Sequence, residues 1–86
     1  MSKILKQVQP VYSSVARVAR AQGVVRFLAT IGKNGRIQDL QVVSGNPMLV
    51  KSAHDAVIQW VYRPTLLNGE PVEVLTQIDV NFTLNK

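Results

Sequence analysis

The sequence of 86 residues contains no cysteine, which removes disulfides, thiolate metal ligands and cysteine nucleophiles together, so that stability must come from packing alone. It has one histidine, whereas a metal site needs two or more ligands at paired spacing. Acidic residues are few: Asp39, Asp55, Glu70, Glu73 and Asp79 are dispersed along the chain and read as surface charge. No stretch approaches the roughly eighteen apolar residues of a membrane span. The opening Met1-Ser2-Lys3-Ile4-Leu5-Lys6 lacks the apolar core of a signal peptide. As it stands, the chain reads as soluble, with no membrane span. Internal repeats, low-complexity segments and linkers are absent as well, so the whole length, 1–86, reads as one domain with an extended lead-in over 1–9.

Ten lysines and arginines against five acidic residues leave a net charge of +5. Nucleic-acid binding does not follow, because the basic residues are scattered in ones and twos, with no basic run, no interleaved stacking aromatics and no glycine-rich phosphate loop. A hydrophobic content of 47% with 17% charged residues belongs to a folded globular chain, not to a disordered one.

What is present is periodicity. After Pro10-Val11-Tyr12, the pair Ser13-Ser14 offers an N-cap hydroxyl, and good helix formers follow to Ala21 before Gly23. The spacing predicts a two-turn helix with Val15 and Ala19 inward, Tyr12 packing just ahead of it, and Arg17 and Arg20 outward. From Val24 the period changes to two, with Val25, Phe27, Ala29 and Ile31 on one side, which predicts a strand. Lys33-Asn34-Gly35 is a hairpin turn, and a second strand follows over 36–44. Its apolar residues Ile37, Leu40, Val42 and Val43 break strict alternation, so a bulge is expected near Asp39. Asn46-Pro47 then reads as N-cap and first helical position, opening a helix to about residue 61 with Leu49, Ala53, Val57 and Trp60 on its buried face. Arg63-Pro64 stops it.

Residues 65–71 read as a polar joint carrying Asn68-Gly69. The third strand, over 72–84, has Val72, Val74, Thr76, Ile78, Val80, Phe82 and Leu84 on one face and Glu73, Leu75, Gln77, Asp79, Asn81, Thr83 and Asn85 on the other. At about twice the usual strand length it can exceed its partner. The element order αββαβ predicts an α+β fold in which a three-stranded antiparallel sheet of order 2-1-3 has both helices on one face. The third strand is then an edge.

Gln9-Pro10-Val11-Tyr12, Gly23-Val24-Val25, Asn34-Gly35-Arg36-Ile37, Trp60-Val61-Tyr62-Arg63-Pro64 and Gly69-Glu70-Pro71-Val72 occur here in one order and at one set of spacings. In this the chain resembles the C-terminal domain of the TonB family of energy transducers (TonB/TolA C-terminal domain-like), over about residues 8–85. The resemblance implies a periplasmic protein-binding domain, carried by an inner-membrane anchor and a proline-rich spacer, that docks an extended segment of an outer-membrane transporter, the TonB box, by adding it as a strand to the last strand. It implies no enzymatic activity and no cofactor. The partner-binding residues would be Gln9, Pro10 and Tyr12 in the lead-in, Tyr62 at the end of the second helix, and Gln77, Asp79, Asn81 and Thr83 on the last strand. The sequence departs from the family where Ser13 replaces a common proline, and where Val18, Ile58 and Val61 are apolar at positions commonly polar in relatives.

Those three residues support a second reading, a self-associating or engineered homo-oligomeric module, such as a homodimer, using this apolar set or the open strand edge. Catalysis has weaker support. His54 and Asp55 are adjacent on a helix and do not face each other, and Ser13, Ser44 and Ser52 show no convergence on a pocket. Trp60 reads as core, Tyr62 as either core or binding aromatic. The polar side chains of the last strand read as the wet face of a half-buried sheet, because strand addition works mainly through main-chain groups.

Overall fold

A computed structural model describes residues 4–84. Its centre is β2 (Gly23–Ile31), whose alternation places Val25, Phe27, Ala29 and Ile31 in the core, the first three with no exposure at all. β3 (Ile37–Ser44) pairs with one edge of β2 and β7 (Val74–Phe82) with the other, both antiparallel, giving the sheet order β3-β2-β7. This is the second-first-third order expected from a hairpin followed by a returning strand. The β2–β7 register runs without a shift from Gly23 opposite Phe82 to Ile31 opposite Val74. The β2–β3 register slips twice, once opposite Thr30 and Ile31, where Gln38 is skipped beside Asp39, and once opposite Arg26 and Phe27, where Val43 is skipped. The first slip is the bulge that the broken alternation near Asp39 signals.

Both helices pack on one face of the sheet. α1 (Ser14–Val18) is capped by the Ser13 hydroxyl, which accepts from the Ala16 N–H at 3.1 Å. α2 (Pro47–Val57) is capped by Asn46, whose Oδ1 accepts from the Met48 N–H at 2.9 Å, with Pro47 at the first turn where its missing N–H costs nothing. Leu49, Ala53 and Val57 form the buried stripe of α2, with Ala56 beside them and Trp60 just beyond its end. These side chains share one core cluster with Val25, Phe27, Ile78, Val80 and Phe82 from the sheet.

Four expectations are corrected. α1 ends at Val18, not at Ala21: Arg20 takes the left-handed conformation (φ 57°), so the chain turns before Gly23 and Gly23 already belongs to β2. Its inward residue is Ala16, while Val15 and Ala19 are exposed; the cap and the Tyr12–Phe82 contact set the helix rotation, which one turn of apolar spacing cannot. α2 ends at Val57 instead of near residue 61, and the chain extends as β4 (Val61–Tyr62), paired antiparallel with β1 (Ile4–Lys6) from the lead-in. β7 covers 74–82 rather than 72–84, because Val72 pairs with Thr65 in a small hairpin of β5 (Thr65–Leu67) and β6 (Glu70–Val72). Asn68 and Gly69 at its tip both have positive φ, 53° and 81°, the two-residue turn that matches strand twist.

The lead-in is held by Trp60, whose Nε1–H donates to the Val8 carbonyl at 2.9 Å. β4 is held at the hairpin end of the sheet, where the Tyr62 N–H donates to the Gly35 carbonyl at 2.7 Å. Gly35 has φ +83°, and a Cβ there would fall on the Tyr62 carbonyl oxygen, well inside contact distance. Two stability measurements follow. In urea denaturation, Phe27→Ala lowers the unfolding free energy by about 3–5 kcal/mol, the range for emptying a buried aromatic site. Gly35→Ala costs about 2 kcal/mol or more through left-handed strain and the displaced β4 segment, whereas Lys33→Ala in the same turn stays within about 0.5 kcal/mol.

Candidate functional site

The outer edge of β7 is the longest regular unpaired edge among the described residues. The other sheet edge, β3, carries two register slips, and bulges are a device that spoils an edge for further pairing. β7 has none. Which of its residues offer free main-chain groups follows from the hairpin. The Gly32 N–H donates to the Arg36 carbonyl at 2.8 Å, so the Gly32 main chain faces the β3 side. Successive residues of an antiparallel strand turn their amides to opposite edges, which directs Val25, Phe27, Ala29 and Ile31 toward β7. Their partners Val80, Ile78, Thr76 and Val74 face back. Leu75, Gln77, Asp79 and Asn81 therefore present N–H and C=O groups outward, and their side chains lie on the helix-free face. Leu84, of the same parity as the inward set, accordingly donates its N–H toward β2's side, to Gln22 Oε1 at 3.2 Å.

The polar side chains of this edge are not equivalent. Asp79 sits directly opposite Arg26, and the guanidinium engages both carboxylate oxygens, Nε to Oδ1 at 3.0 Å and Nη2 to Oδ2 at 3.2 Å. Hydrogen bonding to Arg26, reinforced by its charge, holds the Asp79 carboxyl below its ordinary value, with Gln77 Nε2 adding a bond at 3.4 Å. A lowered folded-state pKa means that the pair's contribution is present above the unfolded-state value and is lost as pH falls through the folded one. Asp79 is thus committed to its own sheet, while the Asn81 side chain and its outward amide are exposed. Thr83 is exposed just past the end of β7.

The lead-in residues lie on the helix side. Tyr12 packs edge-on against Phe82 with ring centroids 5.4 Å apart, its hydroxyl donates to the Ala21 carbonyl, and Arg17 lies over its ring at 5.7 Å. Gln9 is exposed and lines a shallow groove with Val8, Val11, Ser52 and Gln59; Pro10 beside it is half-buried. Tyr62 is half-buried at the far end of the sheet, and burial pushes its phenol up.

The apolar set Val18, Ile58 and Val61 is not one surface. Val18 is 85% exposed and lines a hollow with Arg17, Arg20 and Leu84, at the Gly23–Phe82 end of the sheet. Val61 is half-buried, pairs through its main chain with Lys6 and bridges to Arg36, at the Ile31–Val74 end. The nine residues of β2 separate those ends by roughly 30 Å at ~3.4 Å per residue. Ile58 is exposed at the α2 C-cap.

His54 and Asp55 do meet, contrary to the expectation for adjacent helical residues: Nδ1 lies 3.7 Å from Asp55 Oδ1, because the free χ angles of two exposed side chains bring them together. Asp55 is shared with Lys51 Nζ at 2.9 Å, and the Ser13 hydroxyl is taken up in capping α1, so the serine candidate does not join them. Among the described residues no group of three His, Asp or Glu side chains gathers, and no helix is long and apolar enough to cross a membrane. The sequence does not single out Arg26, whose pairing with Asp79 needs the β2–β7 register.

Residues 8–84 match the model of the family described as Gram-negative bacterial TonB protein C-terminal. Protein TonB of Vibrio cholerae is 35% identical over 80 residues, 91% of this chain and 33% of that protein. Protein TonB of Pseudomonas aeruginosa is 33% identical over 72 residues, 81% of this chain and 21% of that protein. The chain therefore spans about a third or less of the curated relatives it matches. The solution NMR structure of the Pseudomonas aeruginosa TonB CTD is similar with a TM-score of 0.78 at 32% identity, over 98% of this chain and 87% of that one. By sequence, over nearly its whole length, and by fold, this chain belongs to the TonB protein C-terminal family.

Proposed function

We propose that this domain is the periplasmic grip of a TonB-type energy transducer: an extended segment of an outer-membrane transporter adds as a strand to the outer edge of β7. The observation that carries this reading is the asymmetry of the two sheet edges. β3 is broken by two bulges, and β7 keeps nine residues in unbroken register. Natural sheets rarely leave a regular edge unprotected unless it is used, because its unpaired N–H and C=O groups are a template for another chain. Strand addition supplies its affinity through those main-chain groups, which suits an edge where Asp79 is already held by Arg26. The lead-in residues Gln9, Pro10 and Tyr12 border the same domain face as α1 and form the secondary contact of this reading. No cofactor and no catalytic step are involved; the domain binds and bears load, and its inner-membrane anchoring belongs to the whole transducer.

The same open edge gives a second reading, pairing of β7 with a second copy. The version in which Val18, Ile58 and Val61 make the dimer face is disfavoured by the separation of Val18 from Val61. Sedimentation at low micromolar concentration separates the readings. A monomer that binds receptor-segment peptides is expected. A stable dimer abolished by Ile58→Lys with Val61→Lys would replace this reading with a helix-face interface.

Proline substitution tests the edge directly. Asn81→Pro removes an outward donor, so the domain is expected to fold and to lose about tenfold in affinity for a TonB-box peptide in calorimetric titration. Val80→Pro, one residue away, removes a donor from the β2 ladder and is expected to unfold the domain. Unchanged peptide affinity in folded Asn81→Pro would sink the proposal.

A further inference from the structure

α1 is too short to cover the strand beside it. Its five residues rise about 7 Å at ~1.5 Å per residue, whereas the nine residues of β7 extend about 30 Å at ~3.4 Å per residue. The Tyr12–Phe82 contact fixes α1 at the C-terminal end of β7. α2 packs over β2 and β3 and stops at Val57. Burial on the helix side of β7 follows this cover: Ile78, Val80 and Phe82 are buried, while Val74 and Thr76 are only half-buried.

The uncovered half is a hollow of about 270 Å³ walled by Ile31, Val74 and Thr76 from the sheet and by Tyr62, Arg63 and Thr65 from the segment after α2. Metabolite pockets run to about 300–1,000 Å³; this one lies just below that range and has room for one large side chain without being filled by it. Its floor is aliphatic. At its rim Arg63 is exposed and makes no ion pair among the described residues, whereas Arg26 and Lys51 are paired. A strand laid along the outer edge of β7 places the side chains opposite Val74 and Thr76 about 5 Å from them on the same face, beside the wall that these two residues give the hollow.

We infer that the hollow is the specificity pocket of the docking edge, taking one apolar side chain from the helix-facing set of the added strand, while Arg63 selects for an acidic residue within two positions of it. This rests on the strand-addition reading. The short first helix then has a consequence for recognition: it leaves the Val74–Thr76 half of β7 uncovered on its helix side. On the opposite face the strand meets Leu75, Gln77 and an Asp79 already neutralised by Arg26, which discriminate less.

The test uses four synthetic extended peptides of alternating valine and threonine, with leucine or serine at the central helix-facing position and glutamate or lysine two residues away. Binding is followed by amide chemical shifts in the unmodified domain, in Arg63→Glu and in Thr76→Trp, which occupies the hollow. The unmodified domain is expected to bind the leucine–glutamate peptide about tenfold more tightly than the leucine–lysine or serine–glutamate peptides. Arg63→Glu is expected to reverse the charge preference, and Thr76→Trp to abolish that for leucine over serine, with the Gln77 and Asn81 amides still shifting. Equal affinities for all four peptides, with those amides shifting, would overturn the pocket and leave strand addition standing. No shift of those amides with any peptide would overturn both. The preferences of the unmodified domain decide the matter alone if a variant does not fold.

Discussion

The structure depends on the double pairing of β2. Val25, Phe27 and Ala29 are fully buried, and the strand is paired with β7 along its whole length and with β3 from Arg26 to Ile31. A central strand with a buried face determines the register of both partners, because a slip of one residue would turn Phe27 and Ile78 out of the core. Everything functional is arranged around that strand: β7 is positioned by it, the Arg26–Asp79 bridge spans from it, and the hollow beside β7 has Ile31 as its floor.

The two flanks of β2 are treated differently, and the difference is chemical. β3 carries mostly exposed residues and absorbs two extra ones as bulges, which bends it and limits its use as a template. β7 alternates without interruption. Its inward set closes the core and its outward set offers main-chain donors and acceptors. An edge of this kind tolerates many partner sequences, since the bonds are to backbone. Discrimination must then come from where side chains of the added strand land, which is why the incomplete cover of β7 by α1 matters beyond packing.

Much of this was legible in the residues. Alternation in 24–31 and 74–82, the Asn46-Pro47 start of α2, the Leu49, Ala53 and Val57 stripe with Trp60, and the irregularity near Asp39 all reflect local periodicity or backbone chemistry, and each appears in the fold. The failures share a cause. At α1 a single turn has too few apolar positions to define a face, so the spacing favours Val15 although Ala16 is the buried residue. At 58–62 helix and strand compete, and β1 decided the outcome by pairing with Val61 and Tyr62. Val72 has the parity of the last strand, yet the Asn68-Gly69 turn folds it back on Thr65. At the site, Gln77, Asp79 and Asn81 share one parity, and only the position of Arg26 separates Asp79 from the other two.

By itself, the sequence determined the order of the two helices and three long strands, the buried face of β2 and β7 and the last strand's place at an edge, because these follow from period-two and period-3.6 patterns read over many residues and from hairpin chirality; the short strands β1, β4, β5 and β6 did not show in it. Tertiary structure alone decided which edge stayed regular, which amides point outward, and where the helices stop short of the sheet. Those properties depend on register and on the relative lengths of packed elements, which are set by contacts between residues distant in the chain, such as Arg26 with Asp79, Tyr12 with Phe82 and Gly35 with Tyr62.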